Sequence, residues 1–197
     1  MNRDKIEVAA LGPTPETEIS ILEDALNIIE TTPSIKDDFV IVLSHDGWHH
    51  GIIGIVASKI SERFNKPCIL ISTDDENGKG SGRSIRAFNL FKALENSAHL
   101  MQKFGGHDLA AGLSIKPEKI DEFRKEINDY AKQCLTEDDF MSILYIDSEL
   151  PPPYINMNTA EKLSILEPYG MGNACPLFYA KDLTISQIKP LSDKKHM

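Results

Sequence analysis

Apolar residues recur along the chain with two periods, and the alternation between those periods outlines an α/β domain. From 16 to 31, Ile19, Leu22, Leu26 and Ile29 fall on one face of a helix that starts near Thr14 with acidic residues in its first turn. Phe39-Val40-Ile41-Val42-Leu43, within 38–44, is a continuous apolar run that suits a strand buried on both faces. Residues 51–64 return to helical spacing, with Ile52, Ile53, Val56, Ile60 and Phe64 inward, and Pro67 opens a second apolar strand over 68–72. Strand, helix, strand in so short a span predicts a βαβ unit with at least two parallel strands. Asp74-Asp75-Glu76-Asn77-Gly78 is a solvated turn into a glycine-bearing strand, 79–85. A short helix capped by Asn89 covers 89–96, and the apolar stretch 109–115 fits either element. Pro117 then begins an amphipathic helix with Ile120, Phe123, Ile127 and Tyr130 inward, ending near Gln133.

Punctuation divides the chain. Gly12-Pro13-Thr14-Pro15 is a breaker, and Glu137-Asp138-Asp139 with Pro151-Pro152-Pro153 marks a second boundary. Beyond it, 143–150 reads as a strand, 157–167 as a helix and 177–188 as an alternating strand, and 192–197 ends without a cap or a finished sheet. The expected organisation is a linker (1–15), a connecting helix (16–36), an α/β domain (37–136), and a linker with a truncated second module (137–197).

Composition adds bounds. Of 197 residues, 41% are hydrophobic and 26% charged, as in a soluble globular protein. No apolar run approaches a membrane span, and residues 1–20 lack a signal pattern. Cys68, Cys134 and Cys175 fit neither a disulfide framework nor a zinc site, so reduced thiols and a cytoplasmic location are expected. The net charge of −9 counts against a generic nucleic-acid binder. Its distribution is uneven: 45–112 holds eight Lys/Arg against seven Asp/Glu, which leaves −10 for the rest, and five of the six histidines lie there. One locally basic segment on an acidic body is compatible with a focused phosphate site.

Two small-residue runs carry the candidate chemistry. In Gly80-Ser81-Gly82-Arg83-Ser84 the serines offer hydroxyls and Arg83 a planar guanidinium fork. In Gly105-Gly106-His107-Asp108-Leu109-Ala110-Ala111-Gly112, His107 brings a proton-competent ring beside close-approach glycines. Taken alone, each run reads first as a surface arginine or a turn histidine, and the occurrence of two such loops in one domain is what points to an anion site. A third element is the loop 45–50, where Trp48 and His49 form a wall and the amides at 51–53 open a helix N-terminus suited to anions. His45, Asp46, His49 and His50 cluster there, but Asp46-Gly47 signals a turn and no metal is assigned. No nucleophile elbow, Ser-His-Asp spacing or carboxylate–histidine metal set is present.

Taken in order, Gly47-Trp48-His49-His50-Gly51-Ile52-Ile53-Gly54-Ile55-Val56-Ala57-Ser58-Lys59-Ile60, then 80–84, then 104–112, closely resemble the DHH-associated domain of the RecJ family of single-stranded-DNA-specific exonucleases. Leu166-Glu167-Pro168-Tyr169-Gly170-Met171-Gly172-Asn173 resembles the segment leading into that family's OB-fold domain. The resemblance covers about 16–190. It implies a mixed-sheet α/β domain with a βαβ unit and flanking helices, followed by a partial OB-like β segment. It further implies removal of nucleotides from the 5′ end of single-stranded DNA in repair and recombination, with Mn²⁺ or Mg²⁺ held by a separate N-terminal DHH domain. No Asp-His-His signature occurs here, so the chain is expected to be the substrate-binding part, inactive alone, with no metal of its own, no membrane association, and the DHH domain and single-stranded DNA as partners. By motif position Ser81 and Arg83 correspond to the residues that hold the terminal phosphate, and Gly82, Ser84, Gly105 and Gly106 are expected to complete the phosphate-binding surroundings. His107 corresponds to the glycine-flanked histidine at the interdomain cleft and is the catalytic candidate, expected to stabilise charge developing on the phosphate, while Trp48 and His49 are expected to bind the substrate, Trp48 as a base-stacking candidate. The rival readings are a DHH-family phosphodiesterase on oligonucleotides or cyclic dinucleotides, a stand-alone nucleic-acid-binding module, and an α/β interaction domain whose glycines only serve packing.

Overall fold

The computed structural model describes residues 15–184 together with 186 and 187. Nearly all of the linker expected over 1–15, the helix start at Thr14, the positions 185 and 188 of the last expected strand, and the end from Ser192 lie outside the described residues. The chain forms two compact units, Met1–Ser142 and Ile143–Met197.

The first unit is built on a five-stranded sheet, with β1 (Ile41–His45), β2 (Cys68–Thr73), β3 (Gly78–Arg83), β4 (Met101–Gly106) and β5 (Ala110–Ile115) in the spatial order β1-β2-β3-β5-β4. Only β1 and β2 are parallel, joined by α3 (Ile53–Phe64) as the apolar runs predict; every other pairing is antiparallel. Both faces of β1 and β2 are covered. Ile41, Leu43, Cys68 and Leu70 pack under α3 and under α1 (Pro15–Thr31), while Val42, Ile69 and Ile71 pack under α4 (Leu90–Asn96) and α5 (Ile120–Cys134). The continuous hydrophobicity of both strands follows from this double burial.

Four expectations change. The buried stripe of α1 is Ile21, Ala25 and Ile29, and Ile19 is exposed. The spacing i, i+4, i+8 lets small Ala25 meet the neighbouring layer. The first strand starts at Ile41, three residues later than expected, after a short helix α2 (Pro33–Asp37). Phe39 and Val40 donate their backbone N–H groups instead to Asn128 Oδ1 of α5, at 2.8 and 2.9 Å. The ambiguous stretch 109–115 is mostly strand β5, and an unforeseen strand, β4, precedes it. Asn89 caps α4 as expected, accepting from the Lys92 amide at 2.9 Å.

The second unit holds a two-residue parallel pair, β6 (Ser148–Glu149) with β7 (Phe178–Tyr179), and the helix α6 (Met157–Leu163) continued by a 3₁₀ turn, Ser164–Leu166. The strands are much shorter than 143–150 and 177–188. Among the described residues of this unit each has one strand partner, so most of the alternating pattern has no ladder to join.

Candidate functional site

Strand β3 sorts its residues by period two. Gly78, Gly80 and Gly82 face the layer of α4 and α5: a Cβ on Gly80 would lie 2.8 Å from Leu113 Cγ, and one on Gly82 would lie 2.8 Å from Leu90 Cδ2. These glycines let the core close on the strand, so Gly82 serves packing rather than access by an outside molecule. Lys79, Ser81 and Arg83 point to the opposite face. Their register partners there are Ser114, Gly112 and Ala110 of β5, and beyond these Lys103 and Gly105 of β4.

The helix α3 covers this face only as far as β3. Its Gly54 makes the close approach: a Cβ there would come 2.9 Å from Ser81 Oγ and 3.3 Å from an Arg83 terminal nitrogen. Arg83 Nη1 donates to the Gly82 carbonyl at 2.8 Å and to Ser81 Oγ at 3.4 Å. Among the described residues no carboxylate lies within ion-pair distance of Arg83. A half-buried guanidinium held by neutral acceptors keeps its charge available for an anion. Ser84 is committed elsewhere. Its hydroxyl donates to the Phe88 carbonyl at 2.7 Å, and its amide donates to the Leu109 carbonyl at 2.9 Å.

That last bond brings the second small-residue run beside the first. Gly105 and Gly106 end β4, and residues 107–109 turn into β5 next to Arg83 and Ser84. Gly106 has φ +143°, and a Cβ there would run into the Ala110 carbonyl and the Ala111 Cα. Its glycine is required by the hairpin itself. His107 is exposed, with Nδ1 3.4 Å from both the Leu109 amide and an Asp108 carboxylate oxygen.

The loop after β1 is placed differently from expectation. Trp48 is 4% exposed and packs in the core with α1 and α3, stacked against His45 at 5.5 Å between ring centroids. An indole so enclosed offers no face to a base, which overturns the stacking role. His49 is exposed, but its Nδ1 accepts from the Gly51 amide at 3.1 Å and its carbonyl from the Ile52 and Ile53 amides. The amides expected to greet an anion are therefore spent on His49. This loop is anchored at Ser72, whose hydroxyl donates to the Trp48 carbonyl, four residues along the sheet from the Arg83 row. The structure thus unites Ser81, Arg83 and the His107 turn, with His49 at the other end. Gly54 was missed by sequence reasoning, although a glycine in the first turn of an amphipathic helix is the signal for a close approach.

Comparisons with known proteins identify the domain that carries this face. Residues 37–133 match the DHHA1 domain model and residues 146–197 the RecJ OB domain model. The single-stranded-DNA-specific exonuclease RecJ of Bacillus subtilis is 35% identical over 192 residues, covering 96% of this chain. The chain belongs to the RecJ family. Crystal structures of RecJ from Thermus thermophilus in complex with Mn²⁺ and with Mg²⁺ superimpose with TM-scores of 0.72 and 0.71 at 31% identity, over 84% and 83% of this chain. The chain spans about a quarter of the length of these RecJ proteins, 24% in each case.

Among the described residues no group of three or more His, Cys, Asp or Glu could hold an ion. Cys68, which pairs in register with Arg83, is fully buried, and burial pushes its thiol pKa far up, so it stays protonated and unreactive. No helix among the described residues is long and apolar enough to cross a membrane.

Proposed function

We propose that this chain is the substrate-binding part of a single-stranded-DNA-specific 5′-3′ exonuclease, and that Ser81 and Arg83 hold the 5′-terminal phosphate. One observation carries the reading: a hydroxyl and a guanidinium that forms no ion pair among the described residues sit 3.4 Å apart where α3 ends its cover of the sheet, and Gly54 backs onto them without a side chain. Arg83 would present its fork to two phosphate oxygens and Ser81 would donate its hydroxyl to a third. His107, through the ring nitrogen that its local contacts leave unused, would stabilise negative charge developing on the neighbouring phosphodiester. The divalent ion of the reaction belongs to residues outside those described here. The match of 146–197 to the RecJ OB domain favours a polymeric single strand over a cyclic dinucleotide as substrate.

The test is exonuclease kinetics of the whole protein carrying this chain, wild type against Arg83→Ala, on 5′-phosphorylated and 5′-hydroxyl single strands. Losing a charge-assisted bond of about 1.5–3 kcal/mol lowers kcat/KM roughly 10- to 100-fold on the phosphorylated strand. The hydroxyl strand changes little. An equal loss on both substrates would contradict end recognition by Arg83.

A further inference from the structure

Four residues along β3 from Arg83, the same sheet face carries a second cationic row. Lys79, Ser114 and Lys103 are direct register partners across β3, β5 and β4. With Gly112 they line a shallow cleft of about 290 Å³. Both lysines are exposed, and among the described residues neither forms an ion pair. Between this row and Arg83 lies a strip with almost no side chain: Ser81, Gly112 and Gly105, again in register.

The strip separates from the other glycines of the sheet on physical grounds. A Cβ on Gly105 would have nothing within 4 Å, and one on Gly112 would meet only the Gly80 carbonyl at an ordinary 3.6 Å. Neither has the positive φ that requires glycine. Packing therefore does not explain these two glycines, while glycine inside a strand costs stability. A bare floor between two cationic rows is explained by a ligand that lies along it.

We propose that Lys79, Lys103 and Ser114 form a second phosphate subsite, which holds an internal phosphate of the same single strand whose 5′ end sits at Ser81 and Arg83. This rests on the proposed function above and adds the path and direction of the strand: 5′ end at Arg83, chain running over Gly105 and Gly112 toward the lysines. Four strand residues span about 13–14 Å. At a stacked rise of ~3.4 Å per nucleotide the internal phosphate lies no more than about four nucleotides from the end.

The experiment measures binding of 5′-phosphorylated single-stranded dinucleotide and octanucleotide by the chain, as wild type, Lys79→Gln/Lys103→Gln, Gly105→Val and Arg83→Ala. The dinucleotide is too short to reach the lysines. The lysine pair variant is expected to bind the octanucleotide about tenfold more weakly and to lower the salt slope by about 0.7, the loss of one neutralised phosphate. Its dinucleotide affinity stays that of wild type. Gly105→Val raises or preserves thermal stability, since valine favours the strand, yet weakens octanucleotide binding. Unchanged octanucleotide affinity and salt slope in the lysine variant, with both ligands lost in Arg83→Ala, would overturn the subsite and keep the proposed function. Lysine-dependent octanucleotide binding that ignores Arg83 would overturn end recognition at Arg83 and, with it, the direction assigned to the strand. Absence of binding by wild type would overturn both.

Discussion

Arg83 and Gly106 show how differently two residues of similar motif setting behave. Arg83 spends its fork on a carbonyl and a hydroxyl, both neutral, so its charge is available. Gly106 is locked into a conformation and a contact that no side chain tolerates. Read from sequence, a glycine pair invites close approach by a ligand, so that widening Gly106 would harm the site more than the fold. The backbone of β5 is what approaches. Gly106→Val is therefore expected to lower thermal stability markedly, by several kcal/mol, through φ strain and overlap with Ala110 and Ala111. A melting curve settles it, and a variant as stable as wild type with lost oligonucleotide binding would restore the ligand-approach role. Trp48 teaches the same lesson in reverse. A lone aromatic in a motif loop reads as a stacking platform, but its burial depends on α1 and α3, which no local pattern reports.

At the scale of elements, the edge strand β1 is finished by side chains from another layer. Asn128 accepts from two backbone amides and donates to the Val40 carbonyl at 3.0 Å, and Arg124 Nε donates to the Val42 carbonyl at 3.0 Å. Removing the carboxamide strands buried backbone groups at about 1–3 kcal/mol each. Asn128→Ala is expected to destabilise the first unit by roughly 2–4 kcal/mol in denaturant unfolding; a change under about 0.5 kcal/mol would place the amides in contact with water instead. Neither bond was legible in the sequence, since Asn128 and Val40 stand 88 residues apart. The βαβ core was legible because two apolar runs and one helical stripe are local signals. Strand β4 was not, because Gly105 and Gly106 suppress strand character and its ladder exists only once β5 lies beside it. The candidate site was half legible: Ser81, Arg83 and His107 stand out as residue types, but the role of Gly54 and the loss of Ser84 to Phe88 are tertiary facts.

For the whole molecule, a net charge of −9 and the proposed single-stranded DNA ligand are reconciled by placement. Lys79, Arg83 and Lys103 share one sheet face that carries no acidic side chain of β3, β4 or β5. Binding that depends on so local a field is expected to weaken steeply with salt. This face is proposed to recognise a phosphorylated end. Its most direct test is fluorescence anisotropy of one short single strand, with and without a 5′ phosphate, titrated at fixed low salt with wild type and Arg83→Ala. Wild type is predicted to prefer the phosphorylated strand by about tenfold or more, and Arg83→Ala to bind both alike. Equal affinity of wild type for the two ends, or a preference that survives in Arg83→Ala, would contradict it.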